Sequence, residues 1–438
     1  MGKKGRRRLI ELGKDVLIVL LTCSALWLAG RTQLLGPLSG LLSEEKPQTS
    51  PEQNQSEGQI ESVHPMRITA SLPVEGGSGV RCAVQYDEAA CDALFQQVAG
   101  LLVEALSSAE EPEAVTREVW EQALTTAPGL CFDFQGTMPL PVLNRWLAGD
   151  DGTLTACVRR LALAVRGDGV ALFYQSEEDG GYYCCRTEVV NPAHLEQGLA
   201  GLSGNGAFYA FEDETYQMLD PDTLLTAQAP APAVYTAAVP APGGQEGLSR
   251  LMEDLGMSPG SSVFYPAGDE QVARSGSESI RLSDSGAVFY LAGEEDGHFS
   301  LSEGSGMADW VEYCRQLAAA SVGRRCGQAR LYLQSVQETA GGWTVDFGYS
   351  LNGIPVWLES GYAARFIIQQ NRVEQMVLYL RSYTQTGEST AVLPARQAAA
   401  ALEAQGLTGE ELLLVYLDSG GDTVSADWAA AGSASGEA

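Results

Sequence analysis

The pattern of apolar and polar positions opens with one uninterrupted apolar run, VLIVLLTCSALWLA at residues 16–29. With its flanks this run can form a helix of about 20 residues, enough to cross the hydrocarbon core of a membrane. Five of the first eight residues are cations, and cations before a span keep that end in the cytoplasm. We therefore expect a cytoplasmic basic segment at 1–15, a transmembrane helix at 16–35 and an extracellular remainder. A cleaved signal peptide and a lipoprotein modified at Cys23 are the alternatives.

Two stretches without apolar periodicity divide the rest of the chain. One is rich in Pro, Gln, Glu and Ser and indicates a flexible stalk, and the other is rich in Ala and Pro and indicates an extended connector. The predicted division is a stalk at 36–65, an N-terminal ectodomain at 66–227, a connector at 228–244, a central module at 245–325, a C-terminal module at 326–428 and a disordered tail at 429–438.

Apolar residues at helical and alternating spacing predict the secondary structure of the ectodomain. Helices are expected at 87–106, 112–124, 247–255, 307–320 and 393–405. Strands are expected at 130–134, 170–174, 181–188, 262–265, 279–282, 287–291, 330–338, 344–351, 354–358, 363–369, 373–383 and 411–418. Asn352 and Gly353 stand between two apolar runs and predict a tight hairpin turn. The fold class that follows is α+β, with antiparallel sheets, helices packed on one face and a repeated module in the second half.

The charge balance excludes some partners. The chain carries 27 Lys and Arg against 56 Asp and Glu; six of the cations and two of the anions lie in residues 1–15, which leaves 21 against 54. No Lys follows Lys46. So negative a surface repels nucleic acid and anionic lipid headgroups, so no nucleic-acid partner is expected and most of the charge serves solubility.

Known catalytic and metal-binding motifs find little support. Residues 256–260 read GMSPG and match GxSxG, but a helix-like segment precedes them and a strand-like one follows, the reverse of a nucleophile elbow. The three histidines, His64, His194 and His298, stand in no zinc-binding spacing. Neither a P-loop nor an EF-hand spacing occurs. We expect no enzyme, with no catalytic, cofactor-binding or metal-ligating residues; a membrane-anchored envelope hydrolase or a structural surface-binding protein is the alternative.

Three further groups of residues carry open interpretations. Eight cysteines follow the apolar run, and a disulfide such as Cys82–Cys91 and small buried thiols are both compatible with their spacing. The acidic runs at 177–179 and 294–296 resemble solvated hairpin tips. Aromatic residues of the predicted strands belong either to the core or to a ligand groove; they are Phe289, Tyr290, Trp343, Phe347, Tyr349, Trp357, Tyr362 and Phe366.

Three features together resemble the extracytoplasmic YycH/YycI regulators of Gram-positive two-component systems. The basic start and anchor, RRRLIELGKDVLIVLLTCSALWLAGRT, is similar to the start of YycH. Residues 254–293 resemble a family repeat of a Leu-Gly turn, a strand and a hairpin with the pattern G-x-x-x-Y. Residues 345–402, which include VDFGYSLNGIPVW, look like the terminal module of both proteins. The length of the chain is closer to YycH than to the shorter YycI.

The resemblance implies regulation without catalysis. Such proteins place a folded domain outside the membrane, and their anchor contacts the transmembrane helices of a WalK/YycG-like sensor histidine kinase, often beside a sister regulator. Small residues allow helices to approach closely in lipid, and hydroxyl groups can hydrogen-bond across helices. The partner-binding candidates on the anchor are therefore Thr22, Ser24, Ala25, Ala29 and Gly30. A plain anchor, in which these residues merely fill an apolar helix, is the alternative.

Overall fold

The computed structural model describes residues 63–74, 79–227, 229–240, 243–293 and 297–431. The contacts of the chain separate Met1–Gln53 from Asn54–Ala438, and every described residue belongs to the second unit. The predicted basic segment, the transmembrane helix with its five candidate residues and nearly all of the stalk lie outside the described residues.

The first half of the described chain, up to residue 227, is built on one antiparallel sheet. Its strands are β1 (Arg67–Leu72), β2 (Val80–Gln85), β3 (Glu113–Val115), β4 (Gly129–Pro139), β5 (Cys157–Arg166), β6 (Gly169–Ser176) and β7 (Tyr182–Arg186), in the order β2-β1-β4-β5-β6-β7-β3. The helices are α1 (Glu88–Ser107), α2 (Arg117–Thr125), α3 (Leu140–Ala148) and α4 (Pro192–Gly198). A short pair, β8 (Phe208–Tyr209) and β9 (Leu224–Leu225), ends this half.

Alternate residues of each strand point to opposite faces of a sheet. Both faces of this sheet are buried. On β4, Phe132 belongs to the larger core under α1 and α3, whereas its neighbour Cys131 belongs to a second core with Trp120 of α2. The prediction of helices on one face is therefore wrong for this sheet. The alternation places helices on both sides.

Helix α1 shows how local sequence sets an element. Asp87 caps the helix by accepting a hydrogen bond from the backbone N–H of Ala90 at 3.0 Å, which satisfies a donor that the first turn leaves open. Nine of its residues are buried. Among the described residues it is also the one helix whose length and composition would suit a membrane span, a test that the buried core helix of a soluble domain passes as well.

The second half is built on a longer sheet. Its strands are β11 (Val263–Ala267), β12 (Glu270–Ser275), β13 (Glu278–Ser283), β14 (Ala287–Leu291), β15 (Arg330–Thr339), β16 (Gly342–Leu351), β17 (Ile354–Leu358), β18 (Ala364–Gln369), β19 (Arg372–Tyr379), β21 (Glu411–Asp418) and β23 (Ala426–Ala431). The order is β11-β12-β13-β14-β19-β18-β16-β17-β21-β23, with β15 also paired to β16. The helices are α5 (Gly244–Asp254), α6 (Met307–Ser321) and α7 (Ala395–Ala404).

A small third sheet connects distant parts of the second half. It consists of β10 (Ala233–Ala238), β20 (Ser382–Ser389) and β22 (Thr423–Val424), in the order β20-β10-β22. Strand β10 lies inside the segment predicted as a connector. Proline is absent from Ala233–Ala238, so its N–H groups remain available for pairing.

Several predicted elements differ from the observed ones. The helix expected at 112–124 is the strand β3 followed by α2, and the strand expected at 373–383 is divided into β19 and β20. The segment predicted as a disordered tail begins inside β23, where Ala429 pairs with Leu413. Among the described strands, β17 and β21 form a parallel pair, and such a pair needs a crossover connection rather than a tight turn. The division into domains otherwise stays a prediction.

The hairpin turn at Asn352 and Gly353 is confirmed. Both residues have positive φ, 51° and 76°, as a type I′ turn requires. The turn also reaches the first half, because the Asn352 side chain accepts from the Glu88 N–H at 3.1 Å and donates to the Tyr86 carbonyl at 3.0 Å. A sequence signal for local structure thus also forms a tertiary contact.

Candidate functional site

The two halves meet along a surface that we call the seam, where the first sheet and α1 and α3 contact β15, β21 and α6. At its centre lies an ionic cluster, defined by Arg67, Asp133, Arg159, Arg160 and Glu411. Four of these residues come from β1, β4 and β5, whereas the fifth is the first residue of β21. The cluster therefore joins the halves through charge.

The geometry of the ionic cluster is that of a shared guanidinium. Nη2 of Arg67 lies 2.7 Å from Oδ2 of Asp133 and 2.7 Å from Oε1 of Glu411. Arg159 reaches Oε2 of Glu411 at 2.6 Å, and Nε of Arg160 donates to Asp133 at 2.9 Å. The side chains of Arg67 and Glu411 are each only 3% exposed, so solvent screens these pairs little.

The pKa values of the two carboxyls follow from this arrangement. Burial opposes ionisation of Glu411, but attraction by the three arginines outweighs it and lowers its pKa to about 2. The same balance lowers the pKa of Asp133 far below its ordinary value. Both groups are ionised near neutral pH, and removing one partner of such a cluster leaves an uncompensated buried charge.

A backbone irregularity places the cluster at the seam. The register of β4 against β5 shifts between Asp133 and Met138, and Gln135 within this bulge has a φ of 66°. A β-bulge redirects side chains and bends the strand. Here it turns Gly136 against β15, where an added Cβ would lie 2.8 Å from the Cα of Gln334 and closer still to the carbonyl oxygen of Leu333.

A second polar contact crosses the seam near the start of the described chain. Arg330 of β15 donates to both carboxylate oxygens of Asp92 on α1, at 2.9 and 2.7 Å. His64 lies 3.2 Å from Asp92 and 2.9 Å from Arg330. His64 is the second described residue. The start of the described chain therefore contacts both halves.

A cavity of about 450 Å³, which we call the seam cavity, opens between these two contacts. Its buried wall is apolar and comes from both halves: Phe134, Met138, Trp146, Ala318, Leu333 and Phe347. Its rim carries the guanidinium groups of Arg315, Arg324 and Arg330, whose side chains are 34%, 62% and 29% exposed. An apolar pocket with a few converging polar groups at a boundary between subdomains is the usual form of a small-molecule site.

Helices α3 and α6 hold one side of the seam cavity in place. Nε1 of Trp146 donates to Glu312 at 2.9 Å, and Arg145 pairs with Asp309. The guanidinium of Arg315 lies over the Trp146 ring, 6.0 Å from its centroid, at the outer limit of a cation–π contact. The indole ring therefore has a defined orientation at the cavity wall.

Tyr332 lines the cavity from β15. Its ring packs on Gly348 so closely that a Cβ there would lie 2.7 Å from the ring. Burial raises the pKa of its hydroxyl to about 12, so this phenol stays neutral and can donate or accept a hydrogen bond. A larger residue at 348 would displace the ring of this cavity residue.

The three histidines lie apart from one another. His64 contacts the carboxylate and guanidinium described above, His194 lies 3.3 Å from Glu104 on the surface, and the ring of His298 stands edge-on to Phe299 at 4.8 Å. The GxSxG segment lies between α5 and β11, so it has the reverse order from a nucleophile elbow. No group of three or more potential metal ligands occurs in the part of the chain that the structure describes.

All eight cysteines that the structure describes are free thiols, Cys82 and Cys91 among them. Burial raises the pKa of every one, to about 12 for Cys91 and Cys131. Since the thiolate is the reactive form, these cysteines are poor nucleophiles. They behave as small apolar side chains.

The sequence-predicted partner residues, Thr22, Ser24, Ala25, Ala29 and Gly30, lie outside the described residues and are not tested by this geometry. The sequence pattern did not predict the ionic cluster or the seam cavity. A signal for the cluster existed: Asp133 stands between two phenylalanines, and Arg159 with Arg160 interrupts an apolar run. Of the strand aromatics, Phe347 lines the cavity, whereas Tyr349 and Phe366 are core.

Comparison with known proteins gives a likeness of fold. No family model matches the sequence, and no curated protein matches it. Among solved structures, the chain is similar to the crystal structure of YycH from Bacillus subtilis, with a TM-score of 0.52 and 10% sequence identity. The likeness covers 88% of this chain and 96% of that one. At this identity the likeness concerns the fold alone, and the protein has an α+β fold like that of YycH.

Proposed function

We propose that this protein is a single-pass, membrane-anchored extracytoplasmic regulator of a two-component sensor histidine kinase. It acts through protein–protein contacts of its anchor helix and its ectodomain, with a sister regulator of the YycI or YycH type as a further partner. The observation that carries the proposal is the likeness of architecture along 96% of the YycH chain. The resemblance of the predicted anchor and of residues 345–402 to the same family adds a separate line of support.

The chemistry of the described residues agrees with a regulatory role. The thiols have raised pKa values, and His194 faces a surface carboxylate rather than a nucleophile. What the structure offers instead is a charged seam and a cavity, elements suited to binding. In the proposed mechanism a partner or a ligand that binds there shifts the equilibrium of the ectodomain between two states.

The seam also provides a route from ectodomain to anchor. Val63, the first described residue, is buried, and His64 next to it contacts both α1 and β15. A change at the seam therefore reaches the last residues of the predicted stalk. In the proposed mechanism this segment passes the state of the ectodomain to the anchor helix.

The decisive experiment is crosslinking from the anchor in the native membrane. A photoreactive residue at Ala25 or Ala29 is expected to capture a transmembrane helix of a sensor histidine kinase, identified by mass spectrometry. The matched control places the same residue at Leu20, which helical geometry puts on a different face of the helix. Equal capture of kinase from both faces, or capture of none from either, contradicts a specific helix contact.

Replacement of residues 16–29 by an unrelated apolar span tests whether the contact transmits a signal. Kinase output, read from a target promoter, is expected to change while the amount of protein in the membrane stays constant. An unchanged output overturns helix coupling. An anchored hydrolase would predict instead that activity toward envelope material survives the exchange.

A further inference from the structure

The charge at the mouth of the seam cavity is opposite to that of the protein. Beyond residue 15 the chain has 54 acidic and 21 basic side chains, yet none of the described Asp or Glu residues lines this cavity, whereas three arginines and His64 do. Charged side chains drawn at random from so acidic a chain would be mostly acidic. The charged residues of the rim therefore depart from the balance of the chain.

Each rim arginine uses part of its guanidinium to bind a neighbouring carboxylate. Arg315 commits Nε and Nη2 to Glu312, and Arg324 commits Nη1 to Asp254. Within the described residues, Nη1 of Arg315 and the Nε and Nη2 of Arg324 have no hydrogen-bond partner. The carboxylates fix the orientation of the guanidinium planes, and the remaining N–H groups are left for a further acceptor.

We propose that the seam cavity binds a small amphipathic anion, with its apolar body against the Phe134–Phe347 wall and one anionic group at the rim, on Arg315 and Arg324. The volume, about 450 Å³, suits a small molecule rather than a folded partner, since ligand pockets measure roughly 300–1,000 Å³. A neutral apolar molecule would fill the wall but would make no charge-assisted hydrogen bond with the rim donors. A carboxylate, or another singly charged oxyanion, satisfies both parts.

The regulatory part of this inference rests on the proposed function. A ligand in the cavity contacts β4 and α3 from one half and α6 and β15 from the other. It therefore favours the arrangement in which the two halves are in contact along the seam. It also lies against His64, next to the segment that leads to the predicted anchor. Occupancy of the cavity is the signal that the regulator would report.

Binding is tested on the full chain in nanodiscs of zwitterionic phosphatidylcholine. The probes are 1-anilinonaphthalene-8-sulfonate and N-phenyl-1-naphthylamine, which share one ring system and differ in the sulfonate. The sulfonate probe is expected to bind at least roughly tenfold more tightly to a charged hydrogen-bonding rim. Octanoate is expected to displace it, and octanol to do so far less well. Equal affinities for the two probes overturn the proposal.

Two variants locate the site. Arg324→Gln is expected to weaken binding of the sulfonate probe roughly tenfold and to leave the neutral probe unaffected. Ala319→Trp, at an exposed position of the cavity lining, is expected to block both. The control is Arg281→Gln, another half-exposed arginine with a carboxylate partner, Glu270, that does not line the cavity. If Ala319→Trp binds both probes like the parent protein, the site is elsewhere and the proposal is wrong.

Kinase output separates this inference from the proposed function. If Ala319→Trp abolishes probe binding and changes output, both stand. If it abolishes binding while output is unchanged, the ligand site stands and its regulatory part is overturned. If the anchor exchange leaves output unchanged but the sulfonate probe still binds through Arg324, the function fails and the site survives.

Discussion

The ionic cluster and the seam cavity lie along the same boundary and both contain arginines. The arginines differ in their exposure and in the number of their carboxylate partners. In the cluster, Arg67 is 3% exposed and is shared by two carboxylates from opposite halves. At the cavity, Arg324 is 62% exposed and has one carboxylate partner, Asp254. Buried charge balanced by ion pairs from both halves favours one arrangement of the halves, whereas an exposed guanidinium with N–H donors to spare can bind a ligand.

The energetic consequence is a large difference in sensitivity to substitution. Breaking a buried ion pair by removing one partner costs about 3–5 kcal/mol, whereas an exposed pair contributes about 0–1 kcal/mol. Substitutions in the ionic cluster should therefore change mainly stability, and substitutions at the rim of the cavity should change mainly ligand binding. Four substitutions or conditions, in order of decreasing effect, test that separation.

Glu411→Gln should have the largest effect. It keeps the shape of the side chain but removes one of the two carboxylates that balance Arg67, which is buried, and Arg159. The free energy of unfolding is expected to fall by about 3–5 kcal/mol. Urea denaturation followed by tryptophan fluorescence measures the change. Binding of the sulfonate probe to the folded fraction should persist. A loss below about 1 kcal/mol, the range of exposed pairs, would show that the cluster does not hold the seam.

Gly136→Ala should come next, because its Cβ would collide with the backbone of β15 at Gln334. Overpacking of this kind costs about 1–3 kcal/mol, and here it separates the two halves at the bulge. Gly169→Ala is the matched control, a strand glycine whose Cβ would meet no atom within 4 Å. Equal unfolding midpoints for the two variants would contradict a close backbone contact at the seam.

Acid should weaken the cluster in a defined range. The pKa of Glu411 falls from 4.5 to about 2 on folding, so its contribution is complete above about 4.5 and is lost as the pH falls toward 2. One such group gives a slope of about 1.4 kcal/mol per pH unit in that range. The parent protein should therefore lose stability between these values faster than Glu411→Gln does. Parallel pH profiles for the two proteins would show that Glu411 does not contribute to the loss of stability in acid.

Arg324→Gln should have the smallest effect on stability, under about 1 kcal/mol, because its ion pair with Asp254 is largely exposed. Its effect on the binding of octanoate is expected to be larger than its effect on stability. Thermal unfolding with and without octanoate measures both effects, since a ligand that binds only the folded state raises the unfolding temperature. A large loss of stability in the absence of ligand would make Arg324 a structural residue like Arg67.

Local patterns predicted the elements whose causes are local. The turn at Asn352 and Gly353, the helix capped by Asp87 and the strand at 411–418 appear where the sequence placed them. Strand β5 was missed because Arg159 and Arg160 break its alternation, and both pair with Glu411, which is some 250 residues away. A pattern read in a short window has no access to that partner.

The sequence by itself determined the α+β class, the hairpins and helices with their own capping and turn residues, the acidic balance and the expectation of an anchored regulator of YycH type. Only the tertiary structure decided that both faces of the first sheet are covered, that the Ala/Pro-rich segment contributes a strand, and that arginines distant in sequence converge on one seam. The physical reason is the range of the interactions. Capping, turn formation and periodic burial act over a few residues, whereas charge pairing and cavity formation depend on which surfaces meet after the chain has folded.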